Sequence, residues 1–294
     1  MTRILVTGAT GTTGQHIFDT LAARPDIEVR GASRQGEHPY GSSSQVHFDY
    51  NDRSSIQAAL DGMDKVFLVT PFTANMLEME NRVIEEIGRS SVKKVVKLSI
   101  AGADAPQPHA LAKAHRQLEQ ALEQTGKDIT VLRANSYMQN FSRFMGEHIR
   151  AHSAFYLPLG VGKVSVVDVR DVADAAVKVL TEGGHEGKAY TLTGPQALSN
   201  YEIAHIFSAV LERRINYVVV TEQQTQAGMK VAGTPEWIRE AMLELYHSQK
   251  MGQAGFLTNH IEWITGHPAR PFEQFAYDYK DAFTKKTEDF KLTG

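Results

Sequence analysis

Apolar residues in the first half of the chain fall in short runs rich in β-branched side chains. These runs are separated by longer stretches in which apolar positions recur every three or four residues. The runs are "RILVTG", "EVRGASR", "QVHFDY", "KVFLVTP", "KKVVKLSI" and "DITVLRA". Near-continuous apolar character over so few residues suits strands covered on both faces, the condition of a parallel sheet. Between them, residues 15–23, 55–60, 76–89 and 110–124 carry the helical period, so strand and helix alternate as in βαβ units. The pattern predicts an α/β fold with a doubly wound parallel sheet.

After Tyr137 the rhythm breaks. "KVSVVDVRDVADAAVKVL" reads as a strand, a helix N-cap at Asp168 and a helix returning to the sheet, with Asp171 spaced for a capping box rather than for catalysis. From Gly183 onward, "KAYTLTG", a helix opened by Ser199 and Asn200, and "INYVVV" precede mainly helical segments. The expected division places 1–136 and 164–182 in a cofactor-binding domain. It places 137–163 and 183–294 in a smaller, mostly helical substrate domain that completes a cleft. Within the latter, residues 221–255, with Met229, Trp237, Met242 and Met251, suit either a flexible substrate wall or ordinary helix packing.

The first strand leads into Thr7-Gly8-Ala9-Thr10-Gly11-Thr12-Thr13-Gly14 and then into a helix. Glycines at this spacing permit a tight turn, close approach of a pyrophosphate to backbone N–H groups and close helix–strand packing at the third glycine. Located between a first strand and a first helix, the motif predicts a Rossmann dinucleotide site formed by Gly8, Thr10, Gly11, Thr12, Thr13 and Gly14. About 20 residues on, where an acid would bond the adenosine ribose of NAD, the chain has Ser33 and Arg34. A guanidinium there grips a 2′-phosphate, so NADP(H) is expected over NAD(H).

Composition narrows the partners. A chain of 294 residues holds one large domain, or a large and a small one, with an ample core. The absence of cysteine excludes thiolate catalysis, iron–sulfur clusters and cysteine zinc sites, and fits a reducing compartment; the cytoplasm is expected. The N-terminus lacks the pattern of a leader, and nowhere do 18 apolar residues run together, so no membrane association is expected. A net charge of −3 offers no general attraction to nucleic acid, leaving small molecules as partners. Twelve histidines form no His-Glu-x-x-His or comparable cluster, so no metal is expected. The sequence leaves the oligomeric state open.

The stretches "ILVTGATGTTG", "GASR", "GMDKVFLVTP", "VVKLSIAGAD", "TVLRANSYMQNF", "VSVVDVRDVADAA" and "YTLTGPQALSNYEIAHIFS" resemble the NmrA-like branch of the atypical short-chain dehydrogenase/reductases. That branch includes NAD(P)H quinone oxidoreductases, triphenylmethane-dye and azo-dye reductases, and redox-sensing regulators. The resemblance implies that loops around Thr70-Pro71-Phe72, Ser99-Ile100 and Asn135 line the cofactor. The carboxyl ends of strands are where open α/β sheets bind ligands.

The segment "HALAKAHRQLE", residues 109–119, occupies the position of the catalytic helix. Leu111, His115, Leu118 and Leu122 form one inward stripe, whereas Lys113 shares a polar face with His109, Gln117, Gln120 and Gln124. The resemblance implies that His115 stands where many short-chain reductases carry a lysine, and that Leu111 stands where they carry a tyrosine acid. His115 is then placed to position the nicotinamide ribose or to protonate an oxyanion, free imidazole titrating near neutrality. An ordinary paired core histidine fits the same stripe, and Lys113 works only if a helix irregularity turns it inward. Ser99 is a further candidate donor near the nicotinamide. Tyr137, Met138 and Phe141 are candidates for an apolar wall against a planar substrate.

Without the tyrosine, ordinary carbonyl reduction lacks its proton donor. The expected function is therefore an NADPH-dependent reductase that passes hydride to a conjugated acceptor such as a quinone or dye, with no flavin. The alternative is a non-enzymatic NADP(H)-sensing regulator. A sugar-nucleotide epimerase or dehydratase is disfavoured by Leu111.

Overall fold

In the computed structural model, which describes residues 1–34 and 44–284, the first half of the chain alternates as the pattern requires. It runs β1 (Thr2–Thr7), α1 (Thr12–Ala22), β2 (Ile27–Ser33), β3 (Gln45–His47), α2 (Arg53–Leu60), β4 (Lys65–Leu68), α3 (Met76–Arg89), β5 (Lys94–Ile100), α4 (Ala110–Glu123) and β6 (Asp128–Ala134). The second half contributes a π-helical turn (Phe141–Met145), α5 (Gly146–His152), β7 (Ala154–Leu157), β8 (Lys163–Val164), α6 (Val169–Thr181) and β9 (Ala189–Leu192). It continues with β10 (Leu198–Ser199), α7 (Asn200–Val210), β11 (Asn216–Val219), α8 (Glu222–Val231), α9 (Glu236–Lys250), α10 (His260–Thr265), α11 (Phe272–Asp278) and α12 (Lys280–Thr284).

A seven-stranded sheet in the order β3-β2-β1-β4-β5-β6-β9 forms the frame, and all its pairings are parallel. Order reverses between β1 and β4, the switch point at which such sheets bind ligands. One face packs on α1, α6 and α10 through Ile17, Leu21, Val172, Ala176 and Ile264. The other packs on α2, α3 and α4 through Ile56, Val83, Ile87, Leu118 and Leu122. Because Val83 and Ile87 are fully buried at helical spacing, α3 is fixed to the sheet by roughly 1.5–3 kcal/mol per apolar side chain. A third cluster, centred on Phe155, Phe207, Phe272 and Phe275, is the core of the smaller part.

Two segments assigned by sequence to that smaller part belong to the sheet instead. Strand β9 pairs with β6, Val131 to Ala189 through Ala134 to Leu192, and α10 buries Ile261 and Ile264 on the same face as α6. The alternating apolar pattern of "AYTL" is that of an edge strand closing the sheet. The strand expected in "KVSVVDV" is also shorter than its pattern: Lys163–Val164 pairs antiparallel to β10, and Val167 makes only an isolated parallel bridge to Tyr137. Beyond it, Ser165 N donates to Ala254 O at 3.0 Å and Val167 N to Ser136 O at 2.9 Å.

The helix starts follow their caps. Ser199 and Glu202 form a reciprocal capping box on α7, and the Asp168 carboxylate accepts from Arg170 N at 2.9 Å on α6. Asp171 does not complete a box; it accepts instead from the backbone N–H of Arg270 at 2.7 Å and from the Arg270 guanidinium, tying α6 to the segment before α11.

Candidate active site

The glycine turn has the geometry its spacing demands. Gly8 sits at φ +62°, where only glycine is unstrained, and a Cβ there would fall 2.8 Å from Val69 Cγ1. Gly11 N donates to Gly8 O at 2.8 Å, closing the turn. A Cβ on Gly14 would lie 2.2 Å from Gly8 O, so the third glycine is what lets α1 lie against the turn. No side chain caps α1 at Gly11, and Thr10, Gly11 and Thr12 are exposed, so the start of this eleven-residue helix is open to an anionic group. Thr13 is buried, its hydroxyl 3.5 Å from Tyr137 Oη.

Around the neighbouring strand ends, two buried hydroxyls, Ser33 Oγ and Thr70 Oγ1, have no hydrogen-bond partner among the described residues. Buried polar groups are normally satisfied, so two orphans beside this turn fit a polar ligand in the crevice. Arg34, just after β2, is exposed, its carbonyl bonded to His47 Nδ1 at 2.9 Å and its guanidinium in no ion pair among the described residues. Pro71 and Phe72 are exposed on the loop after β4, and Phe72 meets Trp237 of α9 edge to face at 5.0 Å between centroids. Arg143, from the π-helical turn, reaches Thr12 Oγ1 at 3.5 Å, bringing to the start of α1 a cation that no sequence motif signalled.

Helix α4 presents the faces expected of it. Lys113 is exposed and His115 faces inward, making no hydrogen bond from its buried Nδ1. Burial, reinforced by the Lys97 ammonium and only partly opposed by Glu119, pushes the His115 imidazole down to about 3. Lys97 is itself fully buried and paired with Glu80 at 2.6 Å. His115 is thus neutral at physiological pH, and the expectation that it delivers a proton as imidazolium is corrected: it has one N–H and one acceptor to offer.

Ser99 is corrected as well. It is buried and donates its hydroxyl to Glu119 Oε1 at 2.6 Å, so the donor is committed away from the cleft. Glu119 also accepts from Arg133 at 3.1 and 2.8 Å and from Arg116 at 3.0 Å. Burial alone would raise the Glu119 carboxyl, but Arg133 and Ser99 hold it below the usual range. The cluster pins α4 to β5 and β6 from beneath the site.

Above the carboxyl ends of β5 and β6 opens a cleft of about 430 Å³, walled by the loop after β5, the start of α4, Asn135, and the α9 side with Leu245, Gln249 and Phe256. Asn135 lines it but gives its amide to Ser165 Oγ at 2.8 Å and Ala254 O at 3.0 Å, so it ties the two parts together. Met138 and Phe141, expected as substrate wall, are core: both are buried, and Phe141 stacks edge to face with Phe155, Phe207 and Phe272. Their helical spacing is that of packing in the smaller part. Tyr137 is half-buried against the sheet cluster and turned toward Thr13. The region 221–255 does supply a wall, through Leu245 and Gln249 rather than through methionines; Met251 is exposed.

His109 was missed. Placed by helical phase on the solvent face with Lys113, it is instead the N-cap of α4, half-buried and in the cleft wall. A cap residue lies outside the helical repeat, so phase does not govern where it points. Among the described residues, no cluster of histidine, aspartate or glutamate is arranged to hold a metal ion, and no helix is long and apolar enough to cross a membrane.

A profile described as the NmrA-like family matches residues 1–280. NAD(P)H azoreductase of Xenophilus azovorans is 35% identical over 283 residues, covering 95% of this chain and 99% of that protein. Quinone oxidoreductase 2 of Escherichia coli (strain K12) is 26% identical, over 90% of this chain and 94% of that protein. Among solved structures, the Citrobacter sp. triphenylmethane reductase complexed with NADP(H) superposes with a TM-score of 0.84 at 26% identity, covering 95% of this chain and 99% of that one.

Proposed function

The chain belongs to the NmrA-like family, and we propose that within it this protein is an NADPH-dependent reductase acting on a planar conjugated small molecule held between the sheet and α9. It is an NAD(P)H-dependent oxidoreductase, as its azo-, quinone- and dye-reducing relatives are by name.

The observation that carries it is the cleft wall. Among the described residues, no tyrosine, carboxylate or lysine lines the cavity, and by the family resemblance Leu111 stands where other short-chain reductases carry a tyrosine acid. Such a site suits acceptors that take hydride without strong acid catalysis, where binding and orientation do most of the work. NADPH, when bound, supplies the hydride. The N-terminal N–H groups of α1 hold its pyrophosphate, Arg34 its 2′-phosphate, and Ser33 and Thr70 the orphan hydroxyl contacts nearby. His115, held neutral on the inward face of α4, positions the nicotinamide end. Lys113, exposed on the other face, is left out of the site. Phe72 and Trp237 join the loop after β4 to α9 through their edge-to-face contact. The reading requires neither flavin nor metal.

A sensor that binds cofactor without turnover needs no room beside the nicotinamide; the open cavity beside Asn135 favours an acceptor there. Purified protein given NADPH and a panel of quinones, azo dyes, cationic dyes and enones tests the reading by loss of the nicotinamide absorbance.

A further inference from the structure

Among the described residues, the cleft has one ionisable side chain in its wall, His109, and several of the polar groups beside it are engaged with one another. Asn135 gives its amide to Ser165 and Ala254, Gln249 donates to Ser136 Oγ at 2.8 Å, and Ser248 to Gln253 at 2.9 Å. Gln107 stands at the exposed lip. His109 Nδ1 accepts from Ala112 N at 3.4 Å as the cap of α4. A ring nitrogen that accepts carries no proton, so the proton of the neutral ring is on Nε2.

Two opposing charges act on that ring. The α4 N-terminus disfavours an imidazolium, while Glu244 of α9, whose carboxylate accepts from Ala110 N at 2.8 Å, favours one. Burial decides against the charge: the His109 imidazole lies below its ordinary value. The result is a neutral N–H donor, held by a helix cap, in an otherwise uncharged cavity.

Resting on the reductase reading above, we infer that His109 Nε2–H is the oxyanion donor of this site and sorts its acceptors by where negative charge appears. In quinone reduction, two electrons and a proton arrive as hydride from NADPH, leaving NADP⁺ and the hydroquinone monoanion. His109 donates to the phenolate oxygen of that anion, and a solvent proton completes the hydroquinone. A cationic triarylmethane dye takes the same hydride to a neutral product, develops no oxyanion and gains nothing from the donor. A preorganised N–H acts mainly on the charge that develops during reaction.

The test compares wild type with His109→Ala and His109→Asn, the second keeping both an N-cap and an N–H donor. With NADPH saturating, kcat/KM is measured for 1,4-naphthoquinone and for a cationic triarylmethane dye. The quinone-to-dye ratio is expected to fall about 30-fold in His109→Ala and to recover at least in part in His109→Asn. A ratio unchanged within about threefold overturns the assignment, since loss of the cap alone harms both substrates alike. A cofactor-free readout separates this from the reductase reading: 4-nitrophenol, a chromophoric oxyanion, is titrated with and without protein. A bound phenol more acidic with wild type than with His109→Ala supports the donor even if no acceptor consumes NADPH; equal acidity contradicts it.

Discussion

Gly14 lies so close to Gly8 that a Cβ on it would stand 2.2 Å from the Gly8 carbonyl oxygen. The contact sets how near α1 approaches the turn, and so where its free N–H groups point. Gly11 is less constrained, its own Cβ meeting Gly8 O at 3.2 Å. Gly14→Ala is expected to lower stability by about 2 kcal/mol, as overpacking does, and to weaken NADPH binding more than Gly11→Ala. Thermal melts and NADPH titration by nicotinamide fluorescence check the order of the two variants.

Arg34 is exposed just after β2 without an ion-pair partner among the described residues. On the proposed reading, its guanidinium takes the 2′-phosphate. Replacing it with glutamate removes a charge-assisted pair and adds repulsion, so Arg34→Glu should raise the KM for NADPH by roughly 30- to 100-fold while that for NADH moves little. Equal effects on the two cofactors contradict the assignment.

His115 makes stability depend on acid. Its imidazole is near 6.5 in the unfolded chain and about 3 in the fold, lowered chiefly by burial, then by Lys97 of β5, itself paired with Glu80 of α3, and by His109, against the opposing pull of Glu119 of α4. The neutral ring's contribution is complete above pH ~6.5 and is lost as pH falls toward about 3, because only the unfolded chain takes up the proton. At pH 5 the deficit is about 2 kcal/mol. Denaturant unfolding between pH 7 and 5 should show that slope in the wild type and a flatter one in His115→Asn. Parallel slopes contradict the buried, neutral histidine.

What was legible in the sequence was whatever repeats locally. The apolar runs placed β1 to β6, and residues 76–89 and 110–123 form helices where their period places them. The inward face of His115 followed from the helical period, and the glycine turn from the spacing of Gly8, Gly11 and Gly14. Long-range pairing escaped: "AYTL" reads alike as an edge strand of either part, and only its partner β6 assigns it. Ser99 was visible as a strand-end hydroxyl, but its commitment to Glu119, twenty residues on, is a tertiary fact. Met138 and Phe141 have the composition of a substrate wall and the burial of a core. His109 was misplaced because helical phase was extended to a residue that lies at the cap.

The central claim is hydride transfer from NADPH to an acceptor in the cleft by this chain alone. Protein freed of flavin by gel filtration and of metal by EDTA, mixed anaerobically with NADPH and 1,4-naphthoquinone, tests it in one cuvette. The account predicts loss of the nicotinamide absorbance in one-to-one proportion to hydroquinone formed, abolished when Arg34→Glu and Gly14→Ala are combined. Tight NADPH binding with no oxidation by naphthoquinone or any other acceptor of the panel would contradict it and make the protein a cofactor sensor.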